Sequence, residues 1–136
     1  MMPTTDEPPC NGKLEQTYSG SKFVVTHCHG ALDSFCGAIS RISGKQAKVM
    51  EAKIIAQIKR LADGKALSRD SLATEDSLPN NRKFFAIKKV PIRGYLWLSS
   101  KHRATYFISH YTYKDFQKLR QSDKDRVISN WRKIEE

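Results

Sequence analysis

The stretch Lys83-Phe-Phe-Ala-Ile-Lys-Lys-Val90, Pro91, Ile92-Arg-Gly-Tyr-Leu-Trp-Leu-Ser99 decides how this chain folds. β-Branched and aromatic residues crowd into two short runs, the composition and length of strands. Pro91 punctuates them and is compatible only with an edge or a turn. Side chains alternate along a strand, so Ile92, Leu96 and Leu98 share one face of the second run and Arg93, Tyr95 and Trp97 the other. Ser100-Lys-His-Arg103 reads as a hairpin turn, and Ala104-Thr-Tyr-Phe-Ile-Ser-His-Tyr-Thr-Tyr113 as a third strand. The three make an antiparallel meander.

Upstream, Lys65 to Asn81 is polar and without period, which predicts a long loop. Before it, Leu32, Phe35, Ile39 and Ile42 lie at helical spacing, then Ser43-Gly44 interrupts. The pattern resumes at Ala47, Met50, Ile54, Ile58 and Leu61 and stops at Asp63-Gly64, where glycine takes a left-handed cap. These predict two antiparallel helices joined at Gly44, or one kinked helix. Ser21-Lys-Phe-Val-Val-Thr26 is a short strand, and residues 1–20 read as a disordered tail that Tyr18 tethers to the domain. Downstream, Asp123 to Ile134 is helical: Ser122 and Asp125 resemble a capping box, and Val127, Ile128, Trp131 and Ile134 form an apolar stripe. The expected architecture is a single α+β domain over 21–136. A small twisted antiparallel sheet carries an N-terminal helical hairpin on one face, with a C-terminal helix. The other sheet face is expected to present basic and aromatic side chains to solvent.

Charge is distributed unevenly. Up to Asn80 the chain has 10 Lys/Arg against 9 Asp/Glu, whereas Asn81 to Glu136 has 14 against 5. Both tryptophans, Trp97 and Trp131, fall in the basic stretch. Cations interleaved with aromatics suit a polyanion whose phosphates need neutralising and whose bases can stack, so nucleic acid, and RNA in particular, is the expected partner. No apolar run approaches the ~20 residues that span a bilayer. No basic amphipathic helix with a strong apolar face suits a membrane surface either. The first ten residues lack the basic and apolar regions of a secretory signal, and Cys10, Cys28 and Cys36 show no zinc spacing. Reduced thiols in a cytoplasmic protein are expected, with no cofactor and no metal.

At motif level, Phe84-Phe-Ala-Ile-Lys-Lys, Ile92-Arg-Gly-Tyr-Leu-Trp and Tyr106-Phe-Ile-Ser-His-Tyr-Thr-Tyr-Lys114 resemble the strands of the RelE/HigB-like toxins of type II toxin–antitoxin systems. The order of elements from Lys22 to Glu136 is similar too. The resemblance implies a small basic toxin, an mRNA interferase that cleaves messenger RNA on the ribosome. It further implies metal-independent transesterification through the 2′-hydroxyl. Its partners would be the ribosome and a cognate antitoxin, for instance a helix-turn-helix protein, in a toxin–antitoxin hetero-oligomer.

Arg93 matches the family arginine of the central strand, where a guanidinium holds the scissile phosphate; the plain alternative is a solvated or ion-paired strand arginine. Lys88 and Lys89 point to opposite faces, so only one reaches a common site; Lys88 is favoured, against the simpler reading of two solvated lysines. His110 has the titration range for proton transfer, with Tyr113 and Lys114 beside it at the strand end. The structural alternative is a satisfied core histidine with core-edge tyrosines. Arg82, Lys83, Lys101 and Arg103 would contact phosphates, with Lys89, while Tyr95, Trp97 and Tyr111 would stack on bases. His27 and His29 flank Cys28 but lack further ligands at metal spacing and read as structural. Two other functions fit the same residues: a non-catalytic toxin of this fold that poisons DNA gyrase, and a nucleic-acid-binding accessory protein.

Overall fold

The computed structural model describes residues 12–68, 70–113 and 119–136. Strands β4 (Lys83–Lys89), β5 (Ile92–Leu98) and β6 (Thr105–Tyr113) form the expected antiparallel meander. Three further strands join it among the described residues: β1 (Thr17–Ser19), β2 (Val24–His27) and β3 (Leu72–Ser77). The strand order is β1-β2-β6-β5-β4-β3, and β2 runs parallel to β6 while the other pairs are antiparallel. The sheet is therefore a mixed one of six strands, not a small antiparallel one.

Each difference has a local cause. Three helices accompany the sheet among the described residues: α1 (Ala31–Ile39), α2 (Gly44–Ala62) and α3 (Gln121–Glu135). The start of β2 is tied to the end of α2, because the backbone N–H groups of Lys22 and Phe23 both donate to the Ala62 carbonyl. Ser21 N–H adds a bond to Asp63 Oδ1 at 3.0 Å. Beyond that anchor, β2 runs alongside β6 in the same direction. Strand β1 falls inside the 1–20 stretch expected to be disordered; there Leu14 and Tyr18 are buried, and β1 pairs with β2 from Thr17 to Ser19. Strand β3 falls inside the expected 65–81 loop. Its alternation is broken by a bulge between Thr74 and Asp76, which hides the strand from a period-two reading.

The helices also differ from expectation. No hairpin forms between them: α1 packs on β6, whereas α2 lies over β4, β1 and β2. Gly64 does take the left-handed conformation after α2, with φ 73°. Helix α3 starts with Arg120 as its N-cap and no side-chain cap bond, so the Ser122 capping box does not form. Asp123 is drawn instead toward the sheet.

Two apolar layers hold the domain together. On one side Ile54, Ile58 and Phe35 from the first two helices meet Val25, Ile87, Leu96 and Ile108. On the other, Val127 and Trp131 of α3 meet Phe84, Ala86, Tyr95 and Trp97, and Trp131 packs α3 on the sheet as expected. The Arg93–Tyr95–Trp97 face, expected to be open to solvent, is thus covered by α3. The reason is apolar area: full burial of one large side chain is worth about 1.5–3 kcal/mol, and the α3 stripe has no other partner. Cys28 is a free buried thiol but Cys36 is disulfide-bonded, which corrects the expectation of reduced thiols; Cys10 lies outside the described residues. No helix among the described residues is long and apolar enough to cross a membrane.

Candidate functional site

Register brings part of the expected site together. Lys88 pairs with Arg93, Arg93 with Thr112, and Tyr95 with His110, all on the face toward α3. A bulge at Ser109, between Ile108 and His110, inserts one residue into β6. Ser109 and His110 consequently both turn to that face. The β3 bulge does the same for Glu75, whose Oε1 accepts from Arg93 Nη1 at 3.1 Å. Arg93 is 3% exposed and His110 1%. Of the five expected catalytic residues, these two are interior groups, while Lys88 and Tyr113 are half-buried.

His110 is bonded through both ring nitrogens. Its Nε2 lies 3.0 Å from Asp123 Oδ1 and its Nδ1 2.8 Å from Ser109 Oγ. An ionised carboxylate only accepts, so Nε2 carries the proton and Nδ1 accepts from the Ser109 hydroxyl. Asn130 Nδ2 in turn donates to Ser109 Oγ at 2.8 Å. The Tyr95 ring stands 5.3 Å from the imidazole. Burial, reinforced by the charges of Asp123 and Glu75, pushes the Tyr95 hydroxyl well above its ordinary value, so it stays protonated. At the rim of this cluster Lys124 Nζ pairs with Asp76 Oδ2 at 2.8 Å.

The remaining expected residues divide by location. Lys89 lies on the opposite face from Lys88, as strand alternation requires. Tyr111 is buried against Phe35 of α1, and its hydroxyl donates to His27 Nε2 at 2.7 Å. His27 Nδ1 donates to the Gln16 carbonyl at 2.9 Å, and burial lowers the imidazole below its ordinary value. His27 is thus structural, and no group of three or more metal-ligating side chains occurs among the described residues. Tyr113 is turned away from His110 and has the Arg41 guanidinium 4.2 Å above its ring. Trp97 stacks on Phe107 and has no accessible face. The expected stacking platform of Tyr95, Trp97 and Tyr111 is therefore absent, because the core takes all three rings. Lys114 lies outside the described residues. Arg82, Lys101 and Arg103 are exposed on the turns that flank β4 and β6, and Lys83, exposed at the start of β4, donates from Nζ to Ser77 Oγ at 2.8 Å.

Glu75, Ser109, Asp123 and Asn130 join the cluster without any signal in the sequence that marks them for it. Two of them depend on bulges, which leave no periodic mark in a sequence. Asp123 reads as a helix-terminal residue until α3 is laid on the sheet. A groove of about 570 Å³ lies elsewhere, between α2 and the segment carrying Gly12, Lys13 and Tyr18. Compared with known proteins, the chain matches no family model, no curated protein and no solved structure.

Proposed function

We propose that the protein is a toxin-type endoribonuclease that cuts messenger RNA on the ribosome and is held in check by a cognate antitoxin. One observation supports this above the others: neighbouring positions in β4, β5 and β6 gather Lys88, Arg93 and His110 on one sheet face around Tyr95. The chemistry they suit needs no metal. A base removes the 2′-hydroxyl proton, the 2′-oxygen attacks the adjoining phosphorus, and the bond from phosphorus to the 5′-oxygen breaks. A proton is returned to the 5′-oxygen, leaving a 2′,3′-cyclic phosphate and a 5′-hydroxyl. His110 serves as the base, Arg93 holds the phosphate, and Lys88 faces the leaving oxygen. For His110 to act, the RNA hydroxyl must replace Ser109 at Nδ1, the ring nitrogen that carries no proton.

The ribosome as target places the activity in the cytoplasm. The Cys36 disulfide runs the other way, because such bonds persist in oxidising compartments. Inducing the protein in cells and mapping messenger ends tests the proposal. New 5′-hydroxyl ends within messages and arrested translation are the expected result; intact messages with normal translation contradict it.

A second reading, binding without cleavage, is favoured by the burial of Arg93 and His110 against Glu75 and Asp123. It covers both a gyrase-directed toxin and a nucleic-acid-binding accessory protein. Under it, replacing His110 by Gln leaves toxicity and binding unchanged, whereas the enzyme reading requires toxicity to vanish. A supercoiling assay with purified protein identifies the gyrase case.

A further inference from the structure

We infer that the protein grips a single-stranded RNA backbone at one end of its sheet, on the rim formed by the β3–β4 and β5–β6 turns. This rests on the reading of the protein as one that acts on RNA, and it moves the grip from the sheet face to its edge. Phe85 pairs with Leu96 and Leu98 with Tyr106, so both turns emerge at the same end. Neighbouring strands stand about 4.8 Å apart, which places Arg82 and Lys83 some ~10 Å across from the turn that carries Lys101 and Arg103. All four cations are exposed.

A ring stands among them. His102 is exposed and meets Phe107 edge-on at 5.4 Å between centroids. Cations that follow phosphates, with a ring on which a base can stack, make up a single-strand site.

The β5–β6 turn is also held in place before any ligand arrives. Ser99 Oγ accepts from the backbone N–H of Lys101 at 3.2 Å and of His102 at 2.8 Å. Glu135 Oε1 accepts from the N–H groups of Ser100 and Lys101 at 2.7 and 3.0 Å, while the Ser99 hydroxyl donates to Glu135 Oε2 at 2.6 Å. The α3 carboxylate nearest the cations is therefore turned inward onto backbone amides. An ordered turn loses little freedom on binding, which favours affinity. Helix α2 offers Lys45, Lys48, Lys53 and Lys59, but Glu51 stands among them and the helix carries no aromatic residue. It serves as the comparison surface.

The test is fluorescence anisotropy with a labelled twenty-nucleotide oligouridylate over a range of salt concentrations. It compares the wild type with a rim variant (Arg82→Gln, Lys83→Gln, Lys101→Gln, Arg103→Gln) and a helix variant (Lys45→Gln, Lys48→Gln, Lys53→Gln, Lys59→Gln) of equal charge change. Every phosphate deprived of its cation lowers the slope of log K against log salt by about 0.7, so the rim variant should fall by about 3 and the helix variant by almost nothing. His102→Ala should weaken binding and leave the slope unchanged. Circular dichroism checks folding; if the fourfold rim variant does not fold, Lys101→Gln with Arg103→Gln should lower the slope by about 1.4. A rim variant with the wild-type slope, or equal decreases in both variants, overturns the inference. A wild type with no salt-dependent binding defeats the underlying RNA reading instead.

Discussion

A methyl group added at Gly94 would stand 2.6 Å from Tyr111 Cε1 and 2.8 Å from Cδ1. The bare backbone of β5 at that point lets the Tyr111 ring lie across it and reach His27. Gly94→Ala should therefore destabilise the fold by about 1–3 kcal/mol, the usual range for overpacking. Gly37, in α1, has nothing within 4 Å of an added methyl. Gly37→Ala should stabilise by up to about 1 kcal/mol through helix propensity alone. Urea unfolding of the two variants checks both signs. His27 gives a pH signature at the same scale. Burial holds it neutral in the fold, while the unfolded chain binds a proton below the ordinary value of 6.5. The unfolded state then binds more protons, so stability falls as pH drops through the ordinary value of 6.5 toward the lower folded one. His27→Gln should flatten that part of the stability profile. An unchanged pH dependence would show that other groups dominate it.

Among the elements, α3 does most to define the face that matters. Its C-terminal Glu135 fastens the β5–β6 turn, and its first turn brings Asp123 to His110. Burial pushes the Glu135 carboxyl up, but bonds from Ser99 Oγ and from the backbone N–H groups of Lys101 and Ser100 outweigh it and hold it below its ordinary value. A depressed carboxyl stabilises above its unfolded value and loses that contribution as pH falls through the folded one. The protection of the Ser100 and Lys101 amides, measured relative to the intrinsic exchange rate at each pH, should accordingly fall on acidification, and in Glu135→Gln already at neutral pH. Equal protection in variant and wild type would contradict the fastening role. Strands β4, β5 and β6 were legible in the sequence because β-branched and aromatic residues crowd into short runs punctuated by Pro91 and the Ser100–Arg103 turn. The split of β5 into an Arg93–Tyr95–Trp97 face and an Ile92–Leu96–Leu98 face was legible because side chains alternate along a strand. That helices cover both faces of β5 was not legible: alternation tells faces apart without saying what covers either. The same limit hid β3, whose period is broken at Glu75, and the His110–Asp123 contact, which depends on the Ser109 bulge.

At the scale of the whole molecule, charge and chemistry separate. Of the expected catalytic groups, Arg93, ion-paired with Glu75, and His110, hydrogen-bonded to Asp123, lie in the interior under α3, while the cations of the turns stand in solvent at one end of the sheet. The α+β class follows from the mixed sheet with helices on both faces, and the excess of basic residues follows from the sequence beyond Asn80. An enzyme so arranged must open the cluster to its substrate, whereas a binding protein need not. Cleavage of a defined message on translating ribosomes by the purified protein, with the product ends analysed, decides between them. Transesterification through His110 predicts 2′,3′-cyclic phosphate and 5′-hydroxyl ends, formed by the wild type and reduced at least about 100-fold in His110→Gln. An uncut message, or cutting at the same rate by that variant, would contradict it.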